Sequence, residues 1–178
     1  MTEAQAPSRG TYDALIGIGS NVGDKAQNIA RAIDLLCGDG MVRLVATSRF
    51  YRSEPWGILD QDWFVNAAAA VATGVPAHEL LRRCLAVEDE MGRLRKVKWG
   101  PRLVDVDVLT YRGQTIDTPD LKVPHPFIEQ RSFVVVPLLD IAPDEVVRGR
   151  RVRDLAAAID TSDCVPLDRE SASPESGR

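Results

Sequence analysis

The sequence predicts an α+β fold in which helices pack on an antiparallel sheet. Apolar runs of strand length recur along the chain, and two longer segments between them repeat their apolar residues with the 3.6-residue period of a helix. Glycine and proline residues separate these segments, as they do at turns and helix ends. The chain has 178 residues without an internal repeat, which is enough for one domain of ordinary size.

Three strands and two loops are predicted in the first part of the chain. Residues 12–18 are apolar and predict a buried strand, and the Gly-Ser-Asn run within residues 19–23 predicts the loop that follows it. A second strand is predicted over residues 42–51. Residues 54–62 contain Pro, Trp and Gly and are predicted to form a loop. Residues 64–71 are apolar apart from one Asn and predict a third strand.

Capping residues and apolar periodicity place two helices. Asp24 and Gln27 have the spacing of a capping box, which predicts the start of the first helix, and Gly38 marks its end. Pro76 stands where proline is tolerated at a helix start, and Gly92 follows the second helix as a stop. The predicted apolar faces are Ala26, Ile29, Ala30, Ile33, Leu36 and Cys37 in the first helix and Ala77, Leu80, Leu81, Cys84, Val87 and Met91 in the second.

The remaining segments complete the predicted topology. Residues 93–102 are predicted to form a basic loop, and residues 103–111 a fourth strand. The resulting order β-α-β-β-α-β is the split βαβ arrangement of ferredoxin-like folds. The C-terminal third is predicted to add a hairpin near residues 110–118, a helix over residues 131–140 and another helix near residues 152–159.

Composition and charge argue against several classes of protein. No apolar run reaches the roughly 20 residues needed to cross a bilayer, and the N-terminus has no apolar signal core. The three cysteines have no CxxC spacing and are predicted to be reduced thiols, which favours a cytoplasmic protein. A net charge of −4 is unusual for a general nucleic-acid binder. Residues 1–10 and 168–178 are predicted to be flexible tails around a single domain at residues 11–167.

The fourth strand carries a pair of acids. Three valines alternate with Asp105 and Asp107 in residues 103–109, so both carboxylates are predicted to lie on one face of the strand. Two residues along a strand span about 7 Å, which lets the carboxylates converge on one ion or on a close pair of ions. Oxygen ligands without His or Cys suit Mg²⁺ rather than zinc. Taken alone, two acids on a strand are more often a solvated face than a metal site.

A basic loop directly precedes these acids. Mg²⁺ is usually bound together with phosphate, and Arg and Lys bind phosphate oxygens, so cations beside the acids are what phosphoryl transfer requires. Clustered cations alone would more often be a solvated loop. Trp99, a large aromatic residue amid this charge, is predicted to be a packed anchor or a stacking surface for a base. The cations of the loop are Arg93, Arg95, Lys96, Lys98 and Arg102.

The segment from Lys98 to Leu109 resembles the signature of the 6-hydroxymethyl-7,8-dihydropterin pyrophosphokinases. Its Trp-Gly-Pro-Arg run stands at a fixed spacing from Asp105 and Asp107. Other landmarks of the family occur in the expected order, and the resemblance covers about residues 12–147. These landmarks are Gly19-Ser20-Asn21, Phe50-Tyr51-Arg52-Ser53, Phe64-Val65-Asn66, Glu88 followed by Gly92-Arg93, Val123-Pro124-His125-Pro126 and Arg131-Ser132-Phe133.

This resemblance implies a folate-pathway enzyme with residues 11–167 as its catalytic domain. Such an enzyme moves a pyrophosphoryl group from ATP to a pterin alcohol and releases AMP. The resemblance implies that Asp105 and Asp107 hold two Mg²⁺ ions and that, with Arg95 and Arg102, they are catalytic residues. The implied ATP contacts are Glu88, Arg93, Arg95, Lys96, Trp99, Arg102, Val108, His125 and Arg131. The implied pterin contacts are Ser53, Glu54, Trp56, Phe64, Asn66 and Phe133.

The residue types agree with these implied roles. A pterin is flat, polar at its edge and aromatic on its faces, so two aromatic rings and an amide suit it. Without the resemblance, Phe64 and Phe133 would be interpreted as ordinary core residues. His125, which lies between two prolines, would be interpreted as a loop residue fixed by turn geometry. The resemblance makes it a donor to phosphate and not a general base.

The sequence also departs from the family pattern. Leu85 stands where some members carry glutamine, Lys122 where some carry threonine, and Lys98 replaces an arginine. The basic loop is also one residue shorter. These differences put individual ATP contacts in question and leave the two acids and the pterin pocket intact.

Other functional classes stay open at this point. A nucleic-acid binding module is one, because some ferredoxin-like folds stack RNA bases on sheet aromatics, but this sheet lacks such an aromatic-rich motif. A metal-dependent nucleotide hydrolase is another, and a degenerate relative that acts only by binding is a third. The expected partners are ATP and the pterin, with no nucleic acid and no membrane. Since no exposed apolar stripe is evident, a monomer is expected.

Overall fold

The order of strands and helices agrees with the predicted α+β class. The computed structural model describes residues 6–8, 10–55, 60–92 and 103–167. In these residues the strands are β1 (Ala14–Ser20), β2 (Val42–Thr47), β3 (Tyr51–Ser53), β4 (Phe64–Thr73), β5 (Asp105–Tyr111), β6 (Ile116–Asp117), β7 (Lys122–Val123), β8 (Val146–Val147), β9 (Arg150–Arg151) and β10 (Cys164–Pro166). The helices are α1 (Lys25–Cys37), α2 (Ala77–Met91), α3 (Ser132–Ile141) and α4 (Val152–Ala158).

An antiparallel sheet lies at the centre of the protein. β1 pairs with β4 on one side and with β5 on the other. The other edge of β4 pairs with β3 along residues 64–66 and with β2 along residues 69–73. β10 pairs with β3. β5, β1 and β4 therefore lie side by side. Only β1 separates Asp105 and Asp107 of β5 from Asn66 of β4.

The helices cover both faces of this sheet. α1 and α2 pack on the face that carries Ile16, Val106 and Val108, while α3 and α4 pack on the face that carries Leu15 and Leu109. Side chains alternate along β5, so Asp105 and Asp107 share the face of α3. In the described part of the chain, no helix is both long and apolar enough to cross a membrane.

The helix predictions are confirmed to within one residue. Asp24 caps α1, because its Oδ1 accepts a hydrogen bond from the backbone N–H of Gln27 at 3.0 Å. α2 begins after Pro76 and ends before Gly92, as predicted. α3 and α4 form where the apolar residues of the C-terminal third predict them.

The prediction of one second strand over residues 42–51 is wrong. The segment forms two strands, β2 and β3, which Ser48, Arg49 and Phe50 separate. The pairing of β2 with β4 shifts register between Leu44 and Ala46, and the Ser48 hydroxyl then accepts a hydrogen bond from the backbone N–H of Ala68 at 2.8 Å. A side-chain oxygen thus replaces a ladder carbonyl. The apolar pattern of a sequence cannot reveal this side-chain hydrogen bond, because it indicates only which residues are buried.

Other strand boundaries also differ from the predictions. Residues 19 and 20 belong to β1, where a loop was predicted, because they pair with β4 on one side while residue 19 also pairs with β5. The hairpin predicted near residues 110–118 is formed instead by β6 and β7, and Thr118 closes its turn through hydrogen bonds with Leu121. The β8–β9 hairpin and β10 were not predicted, since strands of two or three residues carry no periodic signal.

Candidate functional site

A cavity of about 200 Å³ lies between the sheet and the start of α3. Residues from β1, β3, β4, β5 and α3 form its walls, so it brings together residues that are far apart in the sequence. The predicted site residues that line it are Ser53, Glu54, Phe64, Asn66, Asp105, Asp107, Arg131 and Phe133. It is also lined by Gly17, Ile18, Gly19, Ala67, Ala68, Leu109 and Val134, none of which was predicted.

One wall of the cavity is acidic. Val104, Val106 and Val108 are buried in the core, so strand alternation directs Asp105 and Asp107 to the opposite face. Asp105 is half-buried and Asp107 is exposed, and both line the cavity. The prediction that both acids lie on one face of the strand is therefore confirmed.

Two glycines of β1 lie next to these acids. In the β1–β5 register Gly17 pairs with Asp107 and Gly19 pairs with Asp105. Both glycines line the cavity, so the absence of side chains keeps open the space beside the carboxylates. Sequence reasoning missed this role because it placed Gly19 in a loop. The Gly-x-Gly spacing within a strand, which puts both glycines on one face, was the available signal.

A buried amide and a buried hydroxyl lie on the neighbouring strands. Asn66 of β4 is 6% exposed, and its Nδ2 donates a hydrogen bond to the Oγ of Ser53 at 2.7 Å. A Cβ atom added to Gly19, which pairs with Asn66, would lie 2.9 Å from Asn66 Oδ1. The hydrogen bond to Ser53 therefore orients the carboxamide, and the absence of a side chain at Gly19 leaves room for its Oδ1. A fixed amide in a cavity can recognise the polar edge of a ligand.

Two phenylalanines contribute apolar walls. Phe64 lies at the start of β4, Phe133 lies in the first turn of α3, and both are half-buried. The guanidinium carbon of Arg131 lies 5.6 Å from the ring centroid of Phe133 and 4.9 Å from that of Phe127. These ring contacts hold the guanidinium at the cavity. The cavity therefore offers aromatic surfaces beside a cation.

Positive charge faces the acidic wall. Arg131 lines the cavity; burial lowers its pKa, and the charge of Asp107 opposes that change. His125 does not line the cavity, but its backbone N–H donates to the carbonyl of Leu109 at 2.9 Å, which attaches its turn to β5. Burial lowers the pKa of His125, and the nearby charges of Arg131 and Arg148 lower it further.

Two predicted ATP contacts have their side chains on the other face of β5. Glu88 of α2 is buried, and its Oε1 accepts a hydrogen bond from the backbone N–H of Val106 at 2.8 Å. The side chain of Val108 lies in the core beneath α1 and α2. Neither residue lines the cavity. Two of the departures from the family pattern lie in the described part of the chain: Leu85 is 46% exposed on α2, and Lys122 forms an ion pair on the β6–β7 hairpin.

Six predicted site residues lie outside the described part of the chain. They belong to two segments of the sequence, residues 56–59 and 93–102. Residues 56–59 follow shortly after Glu54, and residues 93–102 connect α2 to the segment that leads into β5. The six residues are Trp56, Arg93, Arg95, Lys96, Trp99 and Arg102.

A polar contact that sequence reasoning missed holds α3 beside β3. Asp140 of α3 accepts hydrogen bonds from the backbone N–H of Arg49 at 2.9 Å, from its Nη2 at 3.0 Å and from the hydroxyl of Tyr51 at 2.9 Å. Burial raises the pKa of Tyr51 to about 12, so its hydroxyl stays protonated and donates at neutral pH. Because Tyr51 precedes Ser53 on β3, this contact fixes α3 against one wall of the cavity.

The donors of the acidic wall fit a magnesium ion. Both are carboxylates that face open space beside a cation. Among the residues that the structure describes, no three His, Cys, Asp or Glu side chains are grouped to form a complete metal cage. Mg²⁺ rarely uses such a cage, because it is usually held by one or two carboxylates and completes its shell with water and phosphate oxygens.

Comparison with known proteins gives a consistent match. Residues 15–143 match the family model described as 7,8-dihydro-6-hydroxymethylpterin-pyrophosphokinase (HPPK). The chain is 48% identical over 149 residues to a 2-amino-4-hydroxy-6-hydroxymethyldihydropteridine pyrophosphokinase of Methylorubrum extorquens, and the match covers 84% of this chain and 94% of that protein. It is 42% identical over 144 residues to the protein of the same name from Pseudomonas aeruginosa, with coverage of 80% and 89%.

Solved structures show the same fold at low sequence identity. An HPPK-DHPS chain in complex with substrates matches with a TM-score of 0.66 at 13% identity. The match covers 83% of this chain and 43% of that chain. An HPPK-DHPS chain of Plasmodium falciparum with SDX-DHP matches with a TM-score of 0.67 at 15% identity, and covers 83% and 45%. The present chain thus spans less than half of these longer chains, and the likeness concerns the fold alone.

Proposed function

Because this chain belongs to the 7,8-dihydro-6-hydroxymethylpterin-pyrophosphokinase family, we propose that the cavity beside α3 is its active site. The chain transfers pyrophosphate from ATP to 6-hydroxymethyl-7,8-dihydropterin in folate biosynthesis. One observation supports this assignment of the site: two acids, one arginine, two phenylalanines and a buried amide line the same cavity. These groups supply what a flat heterocycle and a magnesium-bound phosphate require.

We further propose that residues 11–167 form one catalytic domain with a ferredoxin-like core. The order of β5, β1, β4 and β2 supports this core, because β4 lies between β1 and β2 as the split βαβ arrangement requires. We also propose a cytoplasmic monomer that does not bind nucleic acid. Its three cysteines are free thiols, and its net charge is −4.

The pterin is proposed to bind between Phe64 and Phe133. Its faces would contact the two rings, and its polar edge would pair with Asn66, whose orientation Ser53 and Gly19 determine. Glu54 is exposed at the same cavity and would contact the outer edge of the ring. Trp56, which lies outside the described residues, is proposed to complete this pocket.

Replacing Phe133 by Ala should weaken pterin binding by about 1–3 kcal/mol, because one aromatic wall is lost. The affinity can be measured by calorimetry in the presence of a non-hydrolysable ATP analogue. Met41→Ala is the control, since Met41 is 52% exposed and does not line the cavity. An unchanged pterin affinity in the Phe133 variant would remove this residue from the binding site.

Replacing Gly19 by Ala should lower pterin affinity by about 10-fold to 100-fold, because the added methyl displaces the Asn66 carboxamide. The backbone at Gly19 does not have a positive φ, so the substitution is compatible with the strand. Gly74→Ala is the control, because a Cβ atom there meets no other atom within 4 Å. Equal affinities of both variants and the unchanged protein would contradict the proposed role of Gly19.

Asp105 and Asp107 are proposed to hold two Mg²⁺ ions together with the phosphates of ATP. When bound, such ions lower the pKa of the pterin hydroxyl and neutralise phosphate charge. Arg131 and His125 are proposed to donate hydrogen bonds to phosphate oxygens. The hydroxymethyl oxygen then releases its proton to solvent and bonds to the β-phosphorus, the bond from that phosphorus to the α-phosphate oxygen breaks, and AMP leaves with that oxygen.

The basic segment 93–102 is proposed to act as a lid over this site. It connects α2 to the segment before β5, and Asp105 and Asp107 of β5 line the cavity. Arg95 and Arg102 would offset the charge on the bridging oxygen as the bond breaks, and Arg93, Lys96 and Trp99 would contact ATP. Glu88 would contribute indirectly, through its hydrogen bond to the backbone of β5, and Val108 by packing β5 onto the core.

AMP formation with magnesium, ATP and 6-hydroxymethyl-7,8-dihydropterin tests this proposal directly. Each component is omitted in turn, and AMP should form only when all three are present. AMP release without the pterin would indicate a nucleotide hydrolase. Full activity without a divalent ion would contradict the proposed role of Asp105 and Asp107.

A further inference from the structure

The turn that follows β7 presents His125 in a defined tautomer. The backbone N–H of Phe127 donates a hydrogen bond to Nδ1 of His125 at 3.3 Å. A ring nitrogen that accepts a hydrogen bond carries no proton, so the proton of the neutral ring is assigned to Nε2. The neutral ring of His125 therefore has one donor, the Nε2–H group, as long as the turn keeps its shape.

Arg148 holds this turn from outside. Its Nη2 donates hydrogen bonds to the carbonyl of Pro124 at 2.8 Å and to the carbonyl of His125 at 3.3 Å. Its Nη1 lies 3.7 Å from the carboxylate of Glu129. One guanidinium thus joins both peptide carbonyls that flank the start of the turn.

The β8–β9 hairpin brings Arg148 to this position. Arg148 has φ 46° and the following Gly149 has φ 81°, so a two-residue turn of left-handed residues connects the strands. Arginine is an unusual residue at such a position, where glycine or asparagine is preferred. Its presence there is consistent with a requirement for the side chain rather than for the turn.

Charge and burial around His125 favour the neutral ring. The groups that face it are the cations Arg131 and Arg148, together with the buried surroundings of the turn. Arg131 in turn lines the cavity and lies within the field of Asp107. The uncharged form of the His125 ring is therefore favoured by two nearby cations, one of which lines the cavity.

We propose that Arg148 is a positioning residue that holds the His125 turn so that the neutral ring offers its Nε2–H to a phosphate oxygen of ATP. This inference rests on the proposed function, in which His125 contacts phosphate. Arg148 itself does not line the cavity. Its effect is exerted through the two carbonyls that it binds, and the negative charge of ATP is met by Arg131 and the donor proton of His125.

The nitrogen spectra of the histidine rings test this proposal without any ligand. The chain contains two histidines, so their signals can be assigned simply, and His78 serves as an internal reference. In the unchanged protein Nδ1 of His125 should show the signal of an unprotonated nitrogen. In Arg148→Ala the two tautomers should mix and the pKa of His125 should rise, because a cation and the constraint on the turn are both lost.

Two further variants separate charge from structure. Arg148→Lys keeps the positive charge but cannot reproduce the guanidinium fork, so the pKa of His125 should stay low while the tautomers partly mix. Arg150→Ala is the matched control on the same hairpin, since Arg150 contacts only the carbonyl of Asp154 among the hydrogen bonds described. It should leave both histidine signals unchanged. The His78 signal should stay the same in every folded variant.

The kinetic measurement then links the turn to ATP. Arg148→Ala should raise KM for ATP by about tenfold, with a smaller change in kcat and in KM for the pterin. A His125 spectrum identical to that of the unchanged protein would overturn the positioning role, whatever the reaction is. A mixed tautomer with an unchanged KM for ATP would overturn the link to phosphate. A failure of the proposed function would instead show as no AMP from the unchanged protein, with the spectral effects intact.

Discussion

Replacing Asp107 by Asn should lower the rate of AMP formation by about 10³-fold or more, because the site loses one of the two charges that we propose to hold magnesium against phosphate. Asparagine keeps the shape of the side chain and removes only the charge. Asp107 lies on the exposed part of β5, so the free energy of unfolding should change by no more than about 0.5 kcal/mol. The loss is therefore expected in catalysis and not in folding.

Steady-state rates across a range of magnesium concentrations measure this effect. The rate of the Asp107→Asn protein should remain low even at high magnesium. Asp34→Asn is the matched control, because Asp34 is an exposed acid on α1, which covers the opposite face of the sheet. A near-normal rate in the Asp107 variant, with the thermal transition unchanged, would show that the acidic wall does not bind the catalytic ions.

Replacing Asn66 by Ala should reduce kcat/KM for the pterin by about 10²-fold to 10³-fold, because a buried site built for hydrogen bonding loses its central amide. The substitution also leaves the Ser53 hydroxyl without the donor that it now has at 2.7 Å. The effect on KM for ATP should be small, since the Asn66 carboxamide lies beside Gly19 and Ser53 rather than at Arg131.

Three variants make the Asn66 measurement specific. Asn66→Asp preserves the shape but replaces the Nδ2 donor by an acceptor, so it should also lose pterin affinity. Ser53→Ala should show a smaller loss, since the carboxamide remains but loses its orientation. Gln114→Ala truncates an exposed amide and should have no effect. If the Asn66→Ala protein binds the pterin as the unchanged protein does, the cavity is not the pterin site.

Much of the fold could be predicted because local signals and burial agree along the chain. The capping residue Asp24, the stop at Gly38 and the apolar face of α2 each act within a few residues, so their effects can be read without the rest of the protein. The split of residues 42–51 could not be predicted in this way. It depends on the Ser48 hydroxyl reaching the backbone of β4, which is a contact between distant segments.

Only part of the candidate site could be predicted, again because local patterns do not reveal contacts between distant segments. The placement of Asp105 and Asp107 on one strand face follows from a two-residue period and was derived from spacing alone. The role of Gly17 and Gly19 was missed, since it exists only because β1 lies between β4 and β5. The contact of Asp140 with Tyr51 was missed as well, because nothing in the sequence places the end of α3 beside β3.

The sequence by itself determined the chemistry that is available: two acids on one strand face, a basic segment before them, and the motifs that identify the family. Tertiary structure decided which of these groups share one cavity. It placed Asn66, Ser53 and Phe133 around the same space as the acids. It also directed the side chains of Glu88 and Val108 to the opposite face of β5. The physical reason is that residue type and period act locally, whereas the sharing of a cavity depends on strand order, register and helix packing.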